Sequence, residues 1–393
     1  MKKIFLFGVV ILLLSSSILK AQSSDANDVL KKRLDAYLTQ GVTNGLSGAV
    51  LVAKEGSIIL NKGYGMANKE KKILNTPATV FDIGSVTKQF TGAAILKLVE
   101  FNKLKVTDPL SQFFKDIPDD KKDITVHQLL THSAGLLDVI GEDDFDHIPT
   151  AAFFNELFET QLLHKPGSKH EYSNSGYSIL ARIIELVSGQ DYEAFLDEHL
   201  FKPAGMKQTG YLRLKWDSNL FAKGYEYGVM DIGSMATRYR KEGKISWVLK
   251  GNGGINSTQE DMYRWYIALK TNKVLSKSQI EIFTKPYVSE NEENSSHYAY
   301  GWAIFNTNRN TKMVTHNGSN GIFFHDFIWL PEEDIVIIYS TNAYDLQVED
   351  IAWHLEEMLF DTSYIPEKVA QDPITSLLKF TLSVKGYVES FLK

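Results

Sequence analysis

Ser85 and Lys88 stand three residues apart at the start of a helix-like run from Gln89 to Val99. On the first turn of a helix that spacing puts both side chains on one face. The amine can then reach a hydroxyl that needs a nearby base to become a nucleophile. A helix N-terminus adds partial positive charge and free N–H groups where an oxyanion would form. Ser-x-x-Lys occurs four times in the chain, beginning at Ser17, Ser85, Ser376 and Ser390. Only Ser85 follows a strand-like run, Thr79 to Ile83, and a single Gly84, the context that lifts a nucleophile out of a sheet edge.

Two later motifs add weight. Tyr172-Ser173-Asn174 precedes the helical run from Ile179 to Val187, and His316-Asn317-Gly318 lies on a strand-like segment near the C-terminus. Ser-x-x-Lys, Tyr-x-Asn and (Lys/His)-x-Gly, in this order and at wide spacing, resemble the serine hydrolases of the beta-lactamase and penicillin-binding-protein family. The nearest likeness is to the class C branch, with its D-aminopeptidases, D-alanyl-D-alanine carboxypeptidases and esterases. It runs from about Leu30 to Phe360, and supporting pieces are Val126 to Leu136, Lys202 to Met206 and Gly251 to Thr258.

The resemblance implies roles. Ser85 is the nucleophile and Lys88 its partner. Asn174 holds Lys88 and meets a substrate amide. The oxyanion sits between the backbone N–H groups of Ser85 and Ser319, and His316, Asn317 and Gly318 face substrate. The base is open between two side chains. A lysine of ordinary pKa is protonated at neutral pH, but burial or a second cation would free its lone pair. Tyr172 is the other candidate, since a neighbouring cation stabilises a phenolate.

Three departures from the family pattern bear on substrate. His316 stands where class C beta-lactamases carry lysine, Asn317 replaces the usual Thr or Ser, and Phe323-Phe324 follow a tight Gly318 to Gly321 loop. A histidine neutral at pH 7 that protonates towards pH 6 gives a carboxylate only one donor, and the two phenylalanines suggest an apolar rim. The expected activity is hydrolysis of small esters or amides, including D-amino-acid peptides or peptidoglycan fragments. A true class C-type beta-lactamase and a catalytically silent binding or scaffolding protein of the same fold are the alternatives.

The elements around these motifs read as an α/β (α+β) fold, an antiparallel sheet flanked by helices with an inserted, mainly helical lobe. Leu30, Leu34, Tyr37 and Leu38 mark an amphipathic first helix. Ala49 to Ala53 and Ser57 to Leu60 flank a Glu55-Gly56 hairpin turn. Thr125-x-x-Gln128 and Ser257-x-x-Glu260 read as capping boxes. Gly321 to Leu330 and Asp334 to Ser340 read as strands, and Val348 to Phe360 as a helix. One domain over 22–362 follows, its sheet lobe built from about 25–84 and 298–362.

Lys2-Lys3, the apolar Ile4 to Leu14 and Ala21 predict a signal peptide over 1–21, cleaved near Ala21 for export to the periplasm or medium. Its removal takes three lysines and shifts the net charge from −6 to −9, which gives no reason to expect nucleic-acid binding. The chain has no cysteine, and no His-Glu-x-x-His or similar cluster suggests a metal or other cofactor. A small-molecule or peptide substrate is the expected partner. The tail over 363–393 keeps a helical stripe, Ile374 to Phe391, that suits docking on the protein's own body better than a membrane surface. No pattern speaks to oligomeric state.

Overall fold

The computed structural model describes residues 26–369, apart from 142, 143, 145, 147, 212–216, 227–229, 235–244 and 345–347. The expected signal peptide, and the tail from residue 370, lie outside the described residues. The core is an eight-stranded antiparallel sheet built from both ends of the described chain. Its strands are β1 (Gly48–Lys54), β2 (Ser57–Tyr64), β3 (Val288–Ser289), β4 (Ser296–Tyr298), β5 (Ala303–Asn306), β6 (Lys312–Ser319), β7 (Phe324–Leu330) and β8 (Ile335–Thr341), in the order β2-β1-β8-β7-β6-β5-β4-β3. Pairing of β1 with β8, from Gly48 with Thr341 to Lys54 with Ile335, joins residues almost 300 positions apart.

The sequence of β7 and β8 explains their central place. Every residue of both strands is buried, so they are mainly apolar, with His325, Asp326, Ser340 and Thr341 enclosed instead of alternating exposed polar positions. Alternation still sorts the two faces. Phe327, Trp329, Val336 and Ile338 join the larger core with the inserted helices. Ile328, Leu330, Ile335 and Ile337 pack with Leu34 and Leu38 of α1 (26–43) and Leu355 of the C-terminal helix. The β1–β2 turn places both Glu55 and Gly56 at positive φ, 50° and 74°, the backbone of a tight two-residue hairpin.

Between β2 and β3 lies the mainly helical insertion, with α2 (Thr87–Glu100), α3 (Val126–Leu130), α4 (Thr150–Glu159), α5 (Asn174–Ser188) and α6 (Gln259–Lys270). α3 begins in the Thr125–Gln128 capping box. The start of α6 differs from the sequence reading by one residue. Thr258 caps it, accepting from the Asp261 N–H at 3.2 Å, because Ser257 is paired to Phe81 in a short strand and cannot turn into the helix. Asp261 is then buried, and its carboxylate accepts from the Thr209 hydroxyl at 3.0 Å. The C-terminal helix α7 (Ile351–Phe360) starts three residues later than its apolar pattern. The polar stretch after β3 is a hydrogen-bonded hairpin, with Asn291 Nδ2 donating to Ser295 Oγ at 2.9 Å.

Candidate active site

Ser85 sits in a single tight turn, Gly84–Val86, that leads from the short strand Phe81–Asp82 into α2. Asp82 sets that turn by accepting the Gly84 N–H at 2.7 Å. Residues Thr87 to Leu96 of α2 are all buried. A helix enclosed on every side is a fixed platform for its first turn.

Two glycines bring this turn against the end of β6. Gly84 has φ +50°, and a Cβ there would lie 2.8 Å from the backbone of Gly318 and Ser319. A Cβ on Gly318 would lie 2.3 Å from Ile83 O and 2.5 Å from Ser85 N. The N–H of Ser85 and the backbone of Ser319 therefore converge in space that side chains would fill. Gly318→Ala should force β6 away from Ser85 and lower kcat by about 10²–10³-fold, the usual effect of losing one oxyanion donor. Wild-type kcat in a folded Gly318→Ala protein would show that this approach does not matter.

Lys88 lies one turn beyond Ser85 and is fully enclosed. Its Nζ is 3.0 Å from Ser85 Oγ, 2.6 Å from Asn174 Oδ1 and 2.8 Å from the Asn252 carbonyl. Burial pushes its pKa down to about 7, against the pull of the Asp138 and Asp144 carboxylates. Both acceptors are themselves oriented. Asp138 Oδ1 takes the backbone N–H of Asn174 at 2.8 Å and its side-chain amide at 2.9 Å, which leaves Asn174 Oδ1 facing Lys88. The Asn252 acceptor is its main-chain carbonyl, in a turn held by the Asn252 N–H donating to the Leu249 carbonyl at 3.2 Å, while its Nδ2 donates to the Val248 carbonyl at 2.7 Å and to Ser178 Oγ at 3.0 Å.

Tyr172 precedes α5, whose N-cap Ser173 accepts the Gly176 N–H at 3.0 Å. The Tyr172 ring lies 4.8 Å from Lys88 Nζ and 4.2 Å from the ring of His132. Burial holds its phenol well above the ordinary range, only partly offset by a hydrogen bond with Ser85. His132, at φ 53°, accepts the Ser173 N–H on Nδ1 at 3.0 Å. It is the wedge under Tyr172.

His316 departs from its expected behaviour. Nδ1–H donates to the Asn317 carbonyl at 2.5 Å, and Nε2 accepts from the Tyr298 hydroxyl at 2.8 Å. Burial, with the Lys88 charge behind it, pushes its pKa down to about 3. The expected protonation towards pH 6 does not occur, and neither ring nitrogen has a proton to spare for a carboxylate. Asn317 is exposed and lies opposite Asp326 on β7. Phe323 and Phe324 do not form the rim, because both are buried. Phe323 joins the inner core, and Phe324 stacks on Tyr344 in the outer one.

Ser85, Tyr172, His316, Asn317, Gly318 and Ser319 line one cleft of about 300 Å³, with Lys88 and Asn174 beside its floor. It also touches Tyr298, Glu290, Phe305, Thr315, Asp326 and Trp353, which sequence patterns left unmarked as site residues. Because β5 pairs only with Lys312–Thr315, the stretch from His316 to Ser319 has β7 on one side and no described strand on the other. A larger cavity of about 850 Å³ lies elsewhere among the helices. Its Arg182, Glu185, Glu193 and Lys250 pair with one another.

Comparison with known proteins follows the same lines. Residues 31–357 match the family model described as Beta-lactamase. The chain is 28% identical over 383 residues to Protein flp of Staphylococcus aureus (strain MW2), covering 94% of this chain and 75% of that protein. It is 33% identical over 260 residues to the putative penicillin-binding protein PbpX of Bacillus subtilis (strain 168), covering 66% and 62%. Among solved structures, the octameric penicillin-binding protein homologue from Pyrococcus abyssi superposes with a TM-score of 0.72 at 27% identity, over 84% of this chain and 77% of that one.

Proposed function

Because this chain belongs to the beta-lactamase family, whose members are serine hydrolases, we propose that it hydrolyses small esters or amides through an acyl-enzyme on Ser85. The observation that carries this reading is the surroundings of Lys88 Nζ. A neutral amine has two N–H groups and one lone pair. The two shorter contacts, to Asn174 Oδ1 and the Asn252 carbonyl, use the two donors. The lone pair then faces Ser85 Oγ at 3.0 Å. Lys88 takes the Ser85 proton as Oγ bonds to the substrate carbonyl carbon. The electron pair moved onto the carbonyl oxygen is received by the N–H groups of Ser85 and Ser319. Tyr172, still protonated at neutral pH, donates to the leaving group and regains a proton from Lys88. Water repeats the sequence on the acyl-enzyme and restores Ser85. This supports Lys88 over Tyr172 as the base.

Substrate choice follows from His316. With no cation and no free donor there, the carboxylate of a cephalosporin or a D-Ala-terminated peptide meets no charge-assisted hydrogen bond. That bond is worth about 1.5–3 kcal/mol, or roughly 10- to 150-fold in kcat/KM. Short nitrophenyl esters should be hydrolysed faster than a chromogenic cephalosporin, and any narrowing of the gap between pH 7 and pH 6 should come from Asp326, raised to about 7 by burial, and not from His316, which does not titrate there. Efficient cephalosporin turnover with negligible esterase activity would favour a true beta-lactamase instead. Turnover of no activated ester would favour a silent protein of the same fold. Export through residues 1–21 is part of this reading, on the strength of their charged, apolar and small-residue pattern.

A further inference from the structure

Among the described residues, two acids line the cleft beside Ser85, and its one amine, Lys88, is enclosed beneath the floor with a pKa of about 7. The described lining residues of the cleft include Glu290 and Asp326, and neither lysine nor arginine. Lys88 has its three hydrogen-bonding directions filled, and His316 has both ring nitrogens engaged. Glu290 leaves the end of β3 with its N–H fixed to the Ser296 carbonyl at 3.0 Å, and the Ser296 hydroxyl holds its carboxylate. Burial lifts its pKa above the usual carboxylate value. A partly desolvated carboxylate gains from a cation supplied by a ligand. Asp326, only 2% exposed, reaches the same cleft from the other side of the free edge of β6. It faces the Thr315 hydroxyl at a weak 3.4 Å.

Aromatic rings supply the remaining walls. Tyr172 and Tyr298 meet edge to face at 6.3 Å and 90°. Phe305 and Trp353 do so at 5.7 Å and 87°. Carboxylates combined with aromatic faces are the chemistry that holds an ammonium group.

We propose that the cleft selects esters or amides that carry an ammonium group near the scissile carbonyl, with Glu290 as the specificity-determining carboxylate. This deepens the reading of Ser85 as an acylating nucleophile and rests on it. Family substrates that carry a carboxylate near the reacting carbonyl would meet repulsion here, whereas an amine-bearing acyl group or leaving alcohol meets a counter-charge.

Two matched pairs of esters test it. β-Alanyl and butyryl nitrophenyl esters differ by an ammonium for a methyl on the acyl side. Acetylcholine and 3,3-dimethylbutyl acetate differ by a charge on the leaving alcohol. For each pair the ratio of kcat/KM, cationic over neutral, is compared between wild type and Glu290→Gln, so the intrinsic reactivity of each ester cancels. The expected result is a fall in that ratio of about 10- to 150-fold for the β-alanyl pair, the loss of one charge-assisted hydrogen bond, or a smaller fall for the acetylcholine pair, whose quaternary ammonium has no N–H and meets Glu290 only as a charge. Unchanged ratios in both pairs, with all esters turned over, would overturn the ammonium inference and leave the hydrolase intact. Failure of the wild-type protein to turn over any of the four would remove the hydrolase reading and this inference with it.

Discussion

Ser85→Ala is expected to lower ester turnover by about 10⁶-fold, the scale seen when a serine hydrolase loses its nucleophile. The same change should abolish the mass added to the protein by a fluorophosphonate. The size follows from what remains. Without Oγ no acyl-enzyme forms, and Lys88 can activate only a water that nothing positions. The converging N–H groups still polarise a bound carbonyl, so a small residual rate is expected. Folding should survive. Ser85 is only partly buried, and Lys88 keeps its contacts with Asn174 and Asn252 when the hydroxyl is gone. An unchanged melting temperature with turnover lost is therefore the expected pair of results. A Ser85→Ala protein that still takes the label, or that keeps turnover within tenfold of wild type, would remove Ser85 from the mechanism.

The features readable in the chain were those with local causes. The β1–β2 hairpin announces itself through Glu55-Gly56, and α3 through its capping box. The mainly apolar runs of β7 and β8 read as strands, and pairing shows them to be central. The three motifs could be ordered because each sits at the end of a regular element, and the fold brings them to one cleft. What could not be read depends on tertiary proximity. Asp138 orients Asn174 from 36 residues away, with no pattern in the sequence to mark it. Tyr298 takes up His316 Nε2, and only that contact, together with burial, shows that His316 stays neutral far below its ordinary pKa. Phe323 and Phe324 resemble rim residues by position, yet the first points into the inner core and the second into the outer one. Ser257 and Thr258 compete for one cap, and pairing of Ser257 with Phe81 decides the outcome.

The rate of ester hydrolysis should rise with pH through a one-proton step near pH 7 and level off above it. The sign follows from Lys88. Burial lowers its pKa to about 7, so below that value the ammonium dominates and has no lone pair for the Ser85 proton. Above it the neutral amine dominates and acts as base. His316, at about 3, contributes nothing in this window, and the Tyr172 phenol loses its proton only far above it. Asp326, which also lines the cleft, is raised to about 7 by burial. Temperature separates the two. Ionisation of an ammonium absorbs much heat and that of a carboxylic acid little, so a Lys88 step moves to lower pH on warming and an Asp326 step stays in place. Lys88→Met keeps the length and apolar stem while removing the amine. Loss of the base should lower kcat by about 10²–10⁴-fold and abolish the step near 7 in whatever rate remains. A wild-type profile flat from pH 6 to 8, or a step that persists in Lys88→Met, would show that another group takes the proton from Ser85.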